Sequence, residues 1–322
     1  MKAQRTNILL LILCSITFIN CKNNDSKISK YQTEATSNNV YSSPLGKKFI
    51  KTTPSQKMLD QYAKAKNEFS SNPNNEENII WYGRRTAYLT KYKEAIDIYS
   101  DGIKKFPNSP KLYRHRGHRY ISLRMYDKAI ADYLVAVKLI EGTENEMEQD
   151  GMPNARNIPV SSLHGNIWYH LGLAYYLKHD YQKSYEAFLN CRNTGSYDDN
   201  IVSSTHWLYM NQRRLGNEML ATKLLEPIKE KADIIENMSY YDLCKFYKKM
   251  ITLDAILNPN GDSPSLDAVK YGVASWYFYT NKKEQAKTLL EEIVASSSWN
   301  SFGYIAAESD LIHYFGYTDN KE

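Results

Sequence analysis

At 322 residues, 42% of them hydrophobic and 24% charged, the chain is long enough to bury a large core, as one extended domain or two compact ones. A formal net charge of +5 is too mild to point to nucleic acid. Glycine and proline are sparse, at 14 and 10, which suits helices, and the 27 tyrosines read as amphipathic packing residues rather than cofactor ligands. Met1 to Asn20 reads as an export signal: Lys2 and Arg5 precede an apolar run from Ile8 to Ile19 that is too short to span a bilayer comfortably.

That run ends in Phe18-Ile19-Asn20-Cys21 with polar Lys22-Asn23-Asn24-Asp25 behind it, and no small-x-small cleavage site follows. The arrangement resembles a bacterial lipoprotein leader of the Bacteroidota type, although Asn20 and Phe18 depart from the usual box. The resemblance implies a lipid on Cys21 as the first mature residue and a membrane anchor in the periplasm or outer membrane. An uncleaved signal anchor is the alternative. Cys14 lies inside the apolar run and reads as inert. Residues 21–56 are polar, with Pro44 and Pro54 and no sustained apolar period, and are expected to form a flexible tether.

From Lys57 to Phe69 the pattern turns helical, with Leu59, Tyr62, Ala63 and Phe69 on one face. The stretch from Glu76 to Ile140 then carries one pattern twice. Tyr92, Ala95, Tyr99 and Gly102 recur as Tyr126, Ala129, Tyr133 and Ala136, and Gly83 recurs as Gly117, each 34 residues on. Two helices crossing closely need Gly or Ala at the contact, with aromatic rings filling the space beside it. Asn75 is placed to cap the first unit, with Glu76 and Glu77 in its first turn, and Ser109-Pro110 opens the second. Residues 141–163 form an insertion carrying Glu141, Glu144, Glu146, Glu148 and Asp150 before Gly151, Pro153 and Pro159. Loops of this length are often functional, and a solvated excursion is the alternative. A third unit carries Trp168, Leu171, Gly172, Tyr175, Tyr181, Phe188 and Cys191. A fourth carries Leu208, Leu215, Gly216, Ala221 and Leu225, with Gly216 suited to a left-handed stop. Ser239 to Leu257 is helical but fits no register of the repeat. Asn258-Pro259-Asn260-Gly261 marks a turn, a last unit carries Ala274, Tyr277, Ala286, Leu290 and Ile293, and Trp299 to Tyr314 reads as a closing helix.

The 34-residue period, the small residues at the crossings, the aromatic at the turn and Pro107 at the unit's end resemble the tetratricopeptide repeat (TPR) family, over roughly residues 57–316. The resemblance implies an all-α, right-handed superhelical solenoid of antiparallel helix pairs that binds extended peptides along a concave groove lined by first helices. The family's groove positions fall on Arg84 and Tyr88, on Lys111, Arg114 and His118, on Tyr169, Leu173 and Tyr176, and on His206, Met210 and Arg213, with Ile80 and Ile121 beside them. Arg and Lys beside Tyr suit an acidic segment or a C-terminal carboxylate, because a guanidinium binds carboxylates bidentately. The family's Asn/Lys carboxylate clamp is not reproduced. Arg85, Arg119 and Arg116 stand where the family has small residues or leucine. Either they are buried with partners, the acidic insertion being a candidate, or the helix is rotated from this register.

No Walker loop, dinucleotide-binding glycine pattern, HExxH or nucleophile elbow is present. His115 and His118 are three apart on one helix, but no third metal ligand is apparent. Cys191 and Cys244 read as small core residues, with a disulfide between them as the alternative. The expectation is a non-enzymatic protein-binding adaptor or scaffold of the bacterial cell envelope, with no cofactor or metal. It would take a protein or peptide partner, with an acidic segment as the candidate. A solute- or glycan-capturing surface lipoprotein is the alternative.

Overall fold

A computed structural model describes residues 41–49, 53–257 and 263–318. The expected leader and Cys21 lie outside the described residues. Among the described residues the chain is all α-helical, with isolated bridges at Ser42/Lys48 and Met147/Ser162, and no helix is long and apolar enough to cross a membrane.

The helices pair in antiparallel hairpins that stack side by side. α1 (Gln56–Ser71) precedes the pairs α2 (Glu76–Tyr88) with α3 (Tyr92–Lys105), α4 (Pro110–Ser122) with α5 (Tyr126–Ile140), and α6 (Leu163–Leu177) with α7 (Tyr181–Arg192). They continue as α8 (Asp198–Arg214) with the short α9 (Glu218–Leu224), α10 (Met238–Tyr247) with α11 (Leu253–Leu257), and α12 (Ser263–Tyr279) with α13 (Lys283–Ala295), and α14 (Phe302–Phe315) closes the chain. The starts are written in the sequence: the side chains of Asn75, Ser109, Ser162 and Ser301 each accept a backbone N–H from the first turn that follows.

Every hairpin turns in the same way. Thr90, Arg124, His179, Gly216, Lys249 and Asn281 all have positive φ. The next residue's N–H bonds back five residues, as in Met125 to Tyr120 and Lys282 to Tyr277, both 2.8 Å. The left-handed residue closes the first helix and sends the chain into the second. Gly216 does what its type suggests; the other five are not glycines and gave no signal. Lys249 also supplies the missing register: Ser239 to Leu257 is a repeat pair whose second helix is cut to one turn.

Three crossings share one contact. A methyl added to Gly83, Gly117 or Gly172 would come 2.3, 2.9 or 2.7 Å from the ring of Tyr99, Tyr133 or Phe188. In each case the ring stands 16 residues after the glycine. The arginines that strained the register are partnered. Arg116 forks onto Asp132 (2.8 and 2.7 Å) and reaches Ser100 Oγ (3.1 Å). Arg85 donates to Gln61 Oε1 (3.0 Å) and Gly151 O (2.8 Å), and Arg119 lies over the Tyr92 ring. The helix is not rotated.

The second half does not extend the solenoid outward. Twelve of the 17 residues of α8 are buried, so that helix is enclosed on all sides. α14 returns to the middle of the stack. Arg124 donates to Glu308 (2.8 Å) and to Trp299 O (2.8 Å), and Ser309 Oγ donates to Leu177 O (2.8 Å). Arg214 and Asp310 form a second buried ion pair, between α8 and α14. The segment 41–49 is also drawn in, which corrects its reading as free tether. Phe49 stacks on Trp299 at 4.3 Å, Tyr41 stacks on Tyr92, and the Tyr41 hydroxyl accepts from Lys93 N. Two aromatic anchors in a polar stretch are enough to dock it.

Candidate functional site

The first helices α2, α4 and α6 present one side to the insertion, residues 141–163, which crosses them as a strap. The strap is irregular, with its end pinned by Glu148 N to Ser161 O (3.0 Å) and Leu163 N to Glu146 O (2.8 Å). Its acidic side chains and backbone carbonyls meet the cations of the helices in order. Lys111 binds Glu146 at 3.0 Å and Glu77 at 3.1 Å. Arg114 binds Glu148 at 2.8 Å, with both side chains about nine-tenths buried. Asn166 also donates to Glu148. Arg84 donates to Gln149 O (2.9 Å) and Arg85 to Gly151 O (2.8 Å). Gly151 lies flat on Tyr88: a methyl there would fall 1.9 Å from the Tyr88 hydroxyl. Farther on, Asn154 reaches Glu236 and Arg156 reaches Asp233, both on the stretch before α10.

Behind the cations stands a neutral histidine cluster. His115 Nδ1 accepts from Arg114 Nη1 (2.9 Å). The rings of His118 and His170 sit 4.5 Å apart, with Phe302 of α14 against both. Burial first, and the charge of Arg114 second, pushes the His115 imidazole well below its ordinary value and that of His170 down to about 3. His118 is lowered by burial and then by Arg119. Among the described residues no group of three or more His, Cys, Asp or Glu is placed to hold a metal.

Of the expected groove residues, Arg84, Tyr88, Lys111, Arg114, His118 and Tyr169 lie together on this side, none fully buried. Leu173, Tyr176, His206 and Met210 do not line a groove: each is 1% exposed or less. α10 and α12 pack where the open face would continue. Tyr176 meets Trp207 and accepts from the Tyr271 hydroxyl, and His206 stacks on Tyr240. Arg213 pairs with Glu218 beneath the Tyr279 ring. The groove therefore ends at α6, closed by the folded-back second half. Arg85, Glu148 and Gly151 belong to the site, and so does Phe302. The acid-rich insertion signalled Glu148; nothing in the sequence linked Phe302 to residues so distant.

A cavity of about 310 Å³ opens beside the strap's end. Asn166 and Tyr169 of α6, Tyr197, Glu236, Tyr240 and Phe302 are among its walls, and no lysine or arginine lines it.

No family model matches the chain, and no curated protein matches it. Solved structures do. The TPR protein YrrB, described as having an unusual peptide-binding site, is 12% identical with a TM-score of 0.41, covering 76% of this chain and 95% of that one. A tetratricopeptide repeat protein from Parabacteroides merdae ATCC 43184 is 13% identical with a TM-score of 0.47, covering 77% and 92%. The TPR-like repeats of a putative kinesin light chain from Podosopora anserina are 14% identical with a TM-score of 0.41, covering 70% and 95%.

Proposed function

We propose that this chain is a non-enzymatic protein-binding scaffold, exported and lipid-anchored at Cys21 in a bacterial cell envelope, which takes a partner's extended acidic segment along α2, α4 and α6. The observation that carries the reading is the Arg114–Glu148 pair within the strap contact. This side of the protein already holds an extended acidic stretch, by the charged and main-chain contacts a partner segment would use. Titration with an acidic peptide library at rising salt tests it. Binding should weaken with salt, because exposed pairs such as Lys111–Glu146 are screened. Arg114→Gln should weaken binding about tenfold. Because Arg114 and Glu148 are about nine-tenths buried, the loss is read only where the melting temperature shows the variant folded. A library with no acidic preference would sink the reading. Mass spectrometry of the mature N-terminus tests the anchor separately: an unmodified, uncleaved chain would remove it.

The 310 Å³ cavity favours a second reading, capture of a small solute. Its aromatic, carboxamide and hydroxyl walls, with the carboxylates of Asp199 and Glu236 and no cation, suit a polar molecule that is not an anion, such as a neutral saccharide. A rise in melting temperature with neutral saccharides, lost in Tyr240→Ala, would support it.

A further inference from the structure

We infer that the partner segment carries the pattern Glu-x-Glu-x-x-Gly and takes the place that the strap itself fills. This rests on the groove reading above and specifies it. The strap supplies the template. In an extended chain residues i and i+2 point the same way. Glu146 and Glu148 thus reach Lys111 and Arg114, which stand three apart on one face of α4. The next two anchors are main-chain carbonyls, Gln149 to Arg84 and Gly151 to Arg85, so they read chain direction and not side-chain identity. Gln149 points away and is exposed, which leaves that position open to any residue, whereas Met147, also exposed, accepts from the Tyr197 hydroxyl through its sulfur (3.5 Å). Position 151 is different. It lies against Tyr88 Oη and Arg84 Nη2, so any side chain there displaces the ring and one of the cations.

The strap is also built to leave. Met147, Met152 and Ile158 are exposed, so little apolar burial holds it down. Arg114 Nε is buried without a hydrogen-bond partner, because Glu148 meets the guanidinium through Nη2. A partner carboxylate placed squarely would engage both nitrogens and bind better than the resident one. The strap's advantage is tethering, equivalent to a local concentration on the order of millimolar.

The test uses the full chain and a peptide copying residues 143–153. The double variant Glu146→Gln/Glu148→Gln weakens the strap without shortening it. The peptide should bind this variant on the order of tenfold tighter than it binds the unaltered chain. Peptides with the glycine replaced by alanine, or scrambled at constant composition, should bind the variant about tenfold more weakly. In the unaltered chain, saturating template peptide should speed trypsin cleavage after Arg156, and the scrambled peptide should not. That second readout decides the matter if the variant fails to fold. Equal binding of template and scrambled peptides, still weakened by Arg114→Gln, overturns the pattern and leaves the acidic groove standing. Absence of binding by any acidic peptide overturns both. A concentration-dependent dimer of the unaltered chain, dispersed by the peptide, would mean that the groove takes the strap of a second copy and would overturn an external partner.

Discussion

Gly83 lies so close beneath the Tyr99 ring that a single added carbon would sit 2.3 Å from Cε1; at Gly117 and Tyr133 the same distance is 2.9 Å. The crossing of first and second helix in each of the first three units is set by a contact of this kind. Alanine in a helix is favoured over glycine by roughly 0.5–1 kcal/mol. Forcing a methyl into a packed crossing costs about 1–3 kcal/mol. Gly83→Ala should therefore be destabilising, and more so than Gly117→Ala, in chemical denaturation at equilibrium. An order reversed between the two would refute the packing account.

Arg124 and Glu308 are 4% and 1% exposed and tie the second hairpin's turn to the last helix. Removing one partner strands a buried charge, a change that costs about 3–5 kcal/mol. Glu308→Ala should show a loss of that size. The double change Arg124→Leu/Glu308→Leu should cost clearly less than the sum of the two single changes. Additive losses would mean the pair does not act as a unit.

Several imidazoles are buried neutral. Burial holds His206 to about 3 and, with Arg114, His170 to about 3. The unfolded chain takes up these protons below about 6.5, and the folded chain does not. Unfolding thus binds protons, so stability rises with pH in this window and falls as pH drops from 6.5 towards 3. Each group contributes up to about 1.4 kcal/mol per pH unit. Melting temperature should already decline between pH 6.5 and 5, and His206→Phe should flatten that slope. A flat profile in both proteins would contradict the assignment.

Cys191 and Cys244 are free and buried in separate contacts, with Sγ near Gly165 O and Val202 O respectively. Burial pushes the Cys191 thiol up to about 12 and raises that of Cys244 as well. Neither should react with iodoacetamide in the native protein, and both should react in denaturant. Mass spectrometry before and after unfolding would show it, and an unreduced pair would sink it.

The helices, their caps and the pairing of the first three units were legible because they depend on local patterns: a capping side chain, a small residue, an aromatic ring at a fixed spacing. The insertion's acidic content pointed to the arginines it meets. What escaped is long-range. Leu173, Tyr176, His206 and Met210 occupy positions that are open in an outward-growing stack, and only the return of α10, α12 and α14 buries them. No periodicity within a hairpin encodes that return. The fifth pair stayed hidden because its second helix, Leu253–Leu257, is five residues long and too short to carry the small-and-aromatic pattern of the others.

That return changes how the molecule should come apart. In a linear array each repeat touches only its neighbours, so units can fray from either end and stability is nearly a sum over repeats. Here the Arg124–Glu308 link joins residues 184 positions apart, and Tyr41 and Phe49 close on Trp299. The ends hold each other. Loss of the final helix should therefore loosen the first hairpins as well, and the array should unfold in one transition rather than peel. Closing so long a span before its contacts reward it also predicts slow folding for an all-helical chain.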